Sequence, residues 1–311
     1  MTYLRNRINR LERLTGVVAL SVLFLLPPAP GVASELMQTS DATARSGHFF
    51  RPDLRSPRPK APPARIVSLA PVVTETLFAL GVGSSVVGVT RFCDRPAEAK
   101  SRIQVGGFVD PQLEAIVGLR PDLVIAMPSM GQRNVLEALR AQGVPVLVVF
   151  GDTIREIRDL IESIGEATFQ SARARQKVAA LDRSLQDIRQ RFQQDAKPLQ
   201  AIVVIQVSPL VIAGPNTFAD EALRWVGASP AVPRNAPAWP TWSLEALLFL
   251  RPDVVIAAEG EDSARRLRLM LAGQKGPRVV AAERTILMRP GPHLAEDVEM
   301  LAAILHTPKA P

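Results

Sequence analysis

Apolar and polar positions follow two different periods from about residue 65 onward, and their alternation predicts strands that alternate with helices. Apolar runs rich in β-branched residues, typical of buried strands, recur as "RIVSLA", "SVVGVT", "VPVLVVF" and "AIVVIQV". Between them, segments such as "VVTETLFALG" place apolar residues three and four positions apart, as one face of a helix requires. Continuous apolar strands separated by helices are typical of parallel sheets covered on both faces. The pattern therefore predicts an α/β fold.

A different pattern fills the middle of the chain, from about Thr153 to Ala196, where no strand-like run occurs. Apolar residues there recur three and four positions apart, at Val178, Leu181, Leu185, Ile188 and Phe192. They predict one amphipathic helix of about 25 residues, which at about 1.5 Å per residue would be about 40 Å long. After this segment the strand and helix pattern starts again. We therefore expect two α/β lobes with parallel-type central sheets, joined by one long backbone helix: an N-terminal lobe at 64–152, a helical spacer at 153–197 and a C-terminal lobe at 198–311.

One segment occurs twice, once in each predicted lobe. "EAIVGLRPDLVIA" at residues 114–126 returns as "EALLFLRPDVVIA" at residues 245–257, with nine of thirteen positions identical. Each copy predicts a corner at which a helix ends and a strand begins. In the first copy we expect Asp110 to be the N-cap of the helix and Pro111 its first residue.

Both copies open on a glutamate, Glu114 or Glu245. A negative charge in the first turn of a helix interacts favourably with the helix dipole, by about 0.3–1 kcal/mol, and this alone would explain both acids. The alternative is functional. Equivalent positions in two lobes would place one carboxylate per lobe on the same outer face, where the pair would engage two arginines of a symmetric partner.

The N-terminus carries the features of a secretory signal peptide, predicted here over residues 1–33. Four arginines in the first 13 residues precede an apolar run from Leu14 to Leu26 and then small residues. This run is shorter than the roughly 20 residues that a membrane-spanning helix needs, although an uncleaved anchor is the alternative. Cleavage after Ala33 would remove four Arg and one Glu and lower the formal net charge from +7 to +4. A proline-rich tether over residues 34–63 would follow.

Composition narrows the possible functions of the exported chain. Its single cysteine, Cys93, excludes an internal disulfide framework. No cysteine stands directly after the apolar run, where bacterial lipoproteins are acylated, so we expect a soluble periplasmic protein and not a lipoprotein. The mild positive charge is not interleaved with aromatic residues, so no nucleic-acid partner is expected. The histidines are scattered at positions 48, 293 and 306, and we expect no metal site, no catalytic residues and no enzyme activity.

Five ordered segments resemble a known family. They are "RIVSLAPVVTETLFALG", "VGVTRFCDRP", "VGGFVDPQLEAIVGLRPDLVIA", "AWPTWSLEALLFLRPDVVIA" and "RPGPHLAEDVEMLA". Together they are similar to the iron-siderophore and cobalamin periplasmic-binding family, the substrate-binding proteins of ABC importers, over about Arg65 to His306. The resemblance implies a monomer of two lobes that holds a ligand in the cleft between them. It also implies that Glu114 and Glu245 dock onto arginines of a permease dimer in the inner membrane.

The same resemblance implies a set of ligand-binding residues. Phe92, Phe108 and Trp239 match aromatic residues that face the corrin ring in cobalamin binders, and Met127 matches a position that is tryptophan in one of them. Aromatic faces suit a large planar ligand because each buries 150–250 Å² of surface. The simpler interpretation is that any one of these side chains belongs to the hydrophobic core and does not contact a ligand.

The segment "RPGPH" would reach into the cleft from the other lobe. Arg289 could meet amide or phosphate oxygens of the ligand, and His293 could reach its metal. A corrinoid is favoured over an iron-siderophore because few arginines converge there, and no resident cofactor is expected. Tyr3, in the signal peptide, is the only tyrosine, which removes the tyrosinate ligation of haem-binding relatives. The alternative function is a periplasmic metal-handling enzyme that uses His293 together with Cys93, which we expect next to Phe92 at the rim of the cleft.

Overall fold

A computed structural model describes residues 59–127, 129–192, 198–272, 276–283, 287 and 289–306. The predicted signal peptide and residues 34–58 of the predicted tether lie outside these ranges, as does most of a short strand expected over residues 285–289 from "TILMR". Among the helices in the described ranges, none is long and apolar enough to cross a membrane.

The N-terminal lobe is built on a five-stranded sheet. Its strands are β1 (Ile66–Ser68), β2 (Val86–Val89), β3 (Ile103–Gln104), β4 (Leu123–Ala126) and β5 (Val146–Val148). Their order across the sheet is β3-β2-β1-β4-β5, and all neighbouring pairs are parallel. The connections that parallel pairing requires are helical, as the sequence pattern predicts.

Three α-helices belong to this lobe: α1 (Pro71–Ala79), α2 (Leu113–Gly118) and α3 (Arg133–Ala141). Short 3-10 segments lie at Gly83–Ser85, Ala97–Ser101 and Met130–Gln132. Pro71 is the first residue of α1, as expected, because its fixed φ and missing N–H suit that position. Gly81 follows the helix with a φ of 77°, which supplies the left-handed residue that ends many helices.

The beginning of α2 corrects the prediction for the first repeated corner. The N-cap is Gln112, not Asp110, and the helix begins at Leu113. Pro111 instead forms an antiparallel bridge with Gly106, and Gly107 donates its N–H to the carbonyl of Asp110 at 3.3 Å. Asp110 and Pro111 therefore belong to a turn that precedes the helix.

The spacer contains two helices where the sequence predicted one. They are α4 (Ile154–Ala167) and α5 (Ser171–Phe192), and α5 with 22 residues is the long helix. Phe169, with a φ of 60°, lies in the turn between them. A Cβ on Gly165 would lie 2.3 Å from the Cβ of Ala174, so this glycine lets the two helices approach closely.

The C-terminal lobe repeats the sheet-and-helix arrangement. Its strands are β6 (Gln200–Gln206), β7 (Val211–Ile212), β8 (Ser229–Pro230), β9 (Val254–Ala257) and β10 (Arg278–Ala281). Its helices are α6 (Phe218–Trp225), α7 (Leu244–Phe249), α8 (Glu261–Met270) and α9 (Leu294–His306). β8 and β9 pair parallel to β6, and β10 pairs parallel to β9. β7 is antiparallel to β6, because the short turn between them returns the chain directly.

Alternate residues of the strands point into different apolar cores. In β6, Ala201 and Val203 face a large cluster, whereas Ile202 and Val204 face a second cluster on the other side of the sheet. The large cluster also takes residues from β1, β4 and β9, and from helices α1, α4, α5, α6 and α9. We call it the interlobe core, because it joins both sheets through the helices between them.

Candidate functional site

The order of the first sheet predicts where a ligand-binding crevice would open. β1 and β4 are neighbours, but β2 lies on the far side of β1 and β5 on the far side of β4. In open α/β sheets ligands bind outside the carboxyl ends of the strands at such a switch point. Met127 follows β4 directly, and the N-terminus of α1 follows β1 after Leu69 and Ala70. Met127 therefore lies at the edge of the sheet where a crevice is expected.

The loop that carries Phe108 is held beside the same edge by a buried glutamine. The amide nitrogen of Gln132, a fully buried residue, donates hydrogen bonds to the carbonyl of Leu69, at 3.3 Å, and to the carbonyl of Phe108. Phe108 is half-buried and packs against the interlobe core. Sequence analysis missed Gln132, because a glutamine at the start of a helix gives no sign of burial.

Phe92 lies on the neighbouring loop and is the most open of the predicted aromatic residues. Its exposed fraction is 46%, and the guanidinium carbon of Arg91 lies 5.1 Å from its ring centroid. The Arg91 guanidinium also donates hydrogen bonds to both carboxylate oxygens of Asp110, at 2.9 and 3.0 Å. Asp110, expected to cap a helix, therefore joins the loops that carry Phe92 and Phe108.

The C-terminal lobe contributes Trp239 from a strap beside β7. Gly214 donates its N–H to the carbonyl of Ala238 at 2.8 Å, and Ile212 donates to Pro240 at 3.0 Å. The indole is half-buried in a loop, as its flanking prolines predict, and packs against the interlobe core. Phe108, Met127 and Trp239 thus contact one continuous apolar cluster from two different lobes, whereas Phe92 is not part of that contact.

The Arg289 side chain interacts with two carboxylates of the N-terminal lobe. Its guanidinium donates a hydrogen bond to Asp94 and lies 3.9 Å from Glu75 Oε1. This hydrogen bond is the main reason that the pKa of Asp94 is lowered. Next to this pair, a Cβ on Gly291 would lie 2.5 Å from Val72 Cγ2, so the "RPGPH" loop packs directly on α1. The segment thus contacts the N-terminal lobe, where the charge of Arg289 is compensated.

Two buried carboxyl groups, one from each lobe, accompany Arg289. Glu75 of α1 is 3% exposed and Asp297 of α9 is 2% exposed, and each has one oxygen without a hydrogen-bond partner. Burial raises the pKa of both groups, and burial together with the proximity of Glu75 raises that of Asp297 to about 8. Arg95 acts in the opposite direction on both. Neither acid was predicted, since their proximity depends on how the lobes meet.

The residues proposed for the enzyme alternative have other partners. Cys93, expected at the rim of the cleft, is instead 4% exposed within the interlobe core, where its sulfur lies 3.2 Å from Thr90 Oγ1. Burial raises the pKa of this thiol, which opposes metal ligation. His293 Nδ1 lies 3.4 Å from Glu296 Oε1. Within the described ranges, no group of three or more His, Cys, Asp or Glu side chains could hold a metal ion.

The two repeated glutamates occupy matching positions. Glu114 is the second residue of α2 and Glu245 the second residue of α7; each helix has six residues, and both side chains are exposed. The pKa of Glu245 is lowered, first by its own backbone N–H and then by the Ser243 hydroxyl. That carboxylate therefore stays charged on the surface.

The "RPD" that occurs in both corners has a structural explanation. Asp122 accepts hydrogen bonds from the N–H groups of Ala64 and Arg65, at 2.7 and 2.9 Å, at the start of β1. Asp253 accepts one from Gln200, at 2.8 Å, at the start of β6. Each aspartate thus connects its corner to the first strand of its own sheet. The two repeated glutamates do not have this structural role.

Comparisons with known proteins give the same picture. The family described as "Periplasmic binding protein" matches residues 66–267. The uncharacterized ABC transporter substrate-binding lipoprotein YvrC of Bacillus subtilis is 32% identical over 257 residues, which cover 79% of this chain and 81% of that protein. The crystal structure of the vitamin B12-binding protein BtuF of Vibrio cholerae has a TM-score of 0.68 and 25% identity, covering 78% of this chain and 97% of that one. A periplasmic heme-binding protein from Pseudomonas aeruginosa has a TM-score of 0.69 and 26% identity, covering 80% and 95%.

These similarities confirm the resemblance and the two-lobed α/β fold, and they give no support to the enzyme alternative. One expectation conflicts with them: YvrC is named a lipoprotein, whereas we expected a chain without a lipid anchor. That expectation rests only on the lack of a cysteine directly after the apolar run. Since the family pattern spans most of the folded chain, this protein belongs to the periplasmic binding protein family, whose members serve ABC importers as substrate-binding proteins.

Proposed function

We propose that this protein captures a corrinoid, such as cobalamin, between its two lobes and delivers it to the permease dimer of an ABC importer. The observation that supports this ligand is that Phe108 and Met127 of the N-terminal lobe and Trp239 of the C-terminal lobe each pack against the interlobe core, to which both lobes contribute. A corrin ring is large and roughly planar and carries mostly neutral amide groups. Aromatic and thioether side chains suit such a ligand because they give large contact areas.

The charges around the cleft favour the same ligand over a haem or an acidic siderophore. Arg91 is paired with Asp110, and Arg289 with Asp94 and Glu75. An anionic ligand would have to break these pairs, whereas a neutral ligand would not. Tyrosine ligation of haem iron is excluded for the described residues, because the only tyrosine lies at position 3.

Capture involves only modest relative movement of the lobes. The interlobe core contains residues from both sheets and from five helices, and large apolar interfaces between lobes restrict relative motion. We infer that the protein works as an exported monomer in the periplasm, with a cleaved signal peptide. It carries no cofactor of its own and performs no catalysis.

The ligand is tested by competition. The purified protein is incubated with equal amounts of cyanocobalamin, haemin and the ferric hydroxamate ferrichrome, separated from free ligand by gel filtration, and its absorption spectrum is recorded. We expect the protein to show the absorption spectrum of cobalamin, with about one equivalent of ligand bound per protein. A haem Soret band, a ferric hydroxamate band or a colourless protein would contradict the corrinoid assignment.

Delivery would depend on Glu114 and Glu245. Two carboxylates in matching positions fit two arginines of a two-fold symmetric permease, with charge-assisted hydrogen bonds at both. The test is binding to the cognate permease dimer in nanodiscs after the double charge reversal E114K/E245K, which should abolish docking. The matched control is Asp262→Lys, because Asp262 also lies in the first turn of a C-terminal-lobe helix and is exposed. Unchanged docking of the double variant would refute the role.

A further inference from the structure

The docking helix of the C-terminal lobe exposes a large apolar side chain. Phe249, the last residue of α7, is 56% exposed. It lies four positions after Glu245, which places both side chains on the same side of the helix. Its neighbour Leu247 is fully buried, whereas Phe249 belongs to no apolar cluster of the described residues.

The matching helix of the N-terminal lobe lacks this side chain. Gly118 takes the place of Phe249 at the end of α2, four positions after Glu114, and it is also exposed. The backbone is otherwise alike at this point, since Arg120 and Arg251, two residues further on, have φ values of 45° and 47°. The two corners therefore present the same acid and the same backbone, but only one presents an aromatic ring.

Aromatic residues are enriched at protein interfaces relative to the rest of the protein surface. Single exposed apolar residues are common in proteins and need no explanation by themselves. Binding energy at interfaces is, however, concentrated in a few large side chains such as aromatic residues, and the polar contacts around them exclude water. Leu244 and Leu248 are also only half-buried, so the apolar surface beside Glu245 extends beyond the phenyl ring.

We propose that Phe249 is an anchor of the docking surface, and that it enters an apolar pocket on the permease half whose arginine receives Glu245. This inference rests on the proposed docking function. Because a homodimeric permease has the same pocket on both halves, the pocket that faces Gly118 stays unfilled. The C-terminal lobe then contributes more of the docking affinity than the N-terminal lobe.

The structure also offers a gain-of-function variant. A Cβ on Gly118 would have no heavy atom within 4 Å, and its φ lies outside the left-handed region, so a side chain is tolerated there. Gly118→Phe would supply the second anchor. Phe169→Ala is the matched control for removal of an exposed phenylalanine, because Phe169 is 49% exposed in the turn between α4 and α5.

The experiment measures the dissociation constant for the cognate permease dimer in nanodiscs, with circular dichroism and cyanocobalamin affinity as checks on folding. Phe249→Ala should raise the dissociation constant by about tenfold or more, Phe169→Ala should leave it unchanged, and Gly118→Phe should lower it. If Phe249→Ala has no effect while E245K weakens docking, the anchor is wrong and the docking function stands. If neither has an effect, the docking function itself fails. A folded Gly118→Phe protein that gains no affinity would overturn the equivalence of the two pockets.

Discussion

Arg289 of the C-terminal lobe donates a hydrogen bond to Asp94 of the N-terminal lobe, across 195 positions of the chain. The same guanidinium lies 3.9 Å from the buried Glu75. One arginine thus compensates two carboxylates of the opposite lobe. These interactions of Arg289 contribute to the contact between the lobes. Sequence similarity alone would instead assign Arg289 to ligand binding.

Removing Arg289 should therefore cost more stability than removing Asp94. Asp94 is half exposed, and exposed ion pairs contribute about 0.2–1 kcal/mol, so Asp94→Asn should lower the free energy of unfolding by no more than that. Arg289→Met removes one of the cations beside the buried Glu75, after Arg95 in its effect on that carboxylate, and should cost roughly 1–3 kcal/mol. Urea unfolding of both single variants and the double variant gives the coupling between them. Equal losses for the two single variants would contradict the role of Glu75.

Stability should fall with rising pH because of Asp297. Its pKa is raised by burial to about 8, above the roughly 3.9 of an unfolded chain. The folded state therefore holds a proton that the unfolded state has lost, and stability is lost as the pH rises from about 4 to about 8, by at most about 1.4 kcal/mol per pH unit. Because the Asp297→Asn variant cannot ionise at this position, it should lose this dependence of the unfolding free energy on pH. Unfolding free energies between pH 5 and 9 test it, and parallel curves for both proteins would show that Asp297 titrates normally.

The close approach of the "RPGPH" loop to α1 should make Gly291 sensitive to substitution. Gly291→Ala would bring a methyl group to 2.5 Å from Val72 Cγ2 and should cost about 1–3 kcal/mol through overpacking. Val72→Ala should relieve part of this loss, so that the double variant is more stable than the sum of single effects predicts. Gly118→Ala, whose added Cβ meets no heavy atom within 4 Å, is the control and should be neutral or stabilising by up to about 1 kcal/mol. If the losses of unfolding free energy caused by Gly291→Ala and Val72→Ala simply add in the double variant, the close contact between these two residues is contradicted.

Substitution of two tryptophans in the same loop region should have different effects on the affinity for the ligand. Trp239 packs against the interlobe core, whereas Trp242 packs against the cluster on the other face of the second sheet. Trp239→Ala should weaken cyanocobalamin binding by about tenfold or more, and Trp242→Ala should change stability but not affinity. Isothermal titration calorimetry measures both affinities. Equal affinity losses would place the ligand elsewhere.

Most elements of the fold could be predicted from sequence because buried parallel strands and amphipathic helices leave strong periodic patterns. β4 and β9 are buried at every position, and the helical stripe of Val178, Leu181 and Leu185 is buried as predicted. Local signals failed where distant contacts decided the structure. Asp110 and Pro111 look like a helix start, but Pro111 pairs with Gly106 and the helix begins only at Leu113.

The site was less predictable than the fold, since it depends on contacts between lobes. Similarity to a family indicated Phe108, Met127 and Trp239, which the structure places on one apolar cluster. No local pattern pairs Glu75 with Asp297 or Arg289 with Asp94, because the partners lie on different lobes. Cys93 was misjudged for the same reason: neighbouring Phe92 is exposed, but the thiol faces the core.

Capture and delivery are tested together by uptake of labelled cyanocobalamin into proteoliposomes that contain the cognate importer. The account predicts that uptake requires this protein and ATP, and that E114K/E245K still binds cyanocobalamin but supports no uptake. Uptake that proceeds equally with the double variant, or without the protein, would contradict the account.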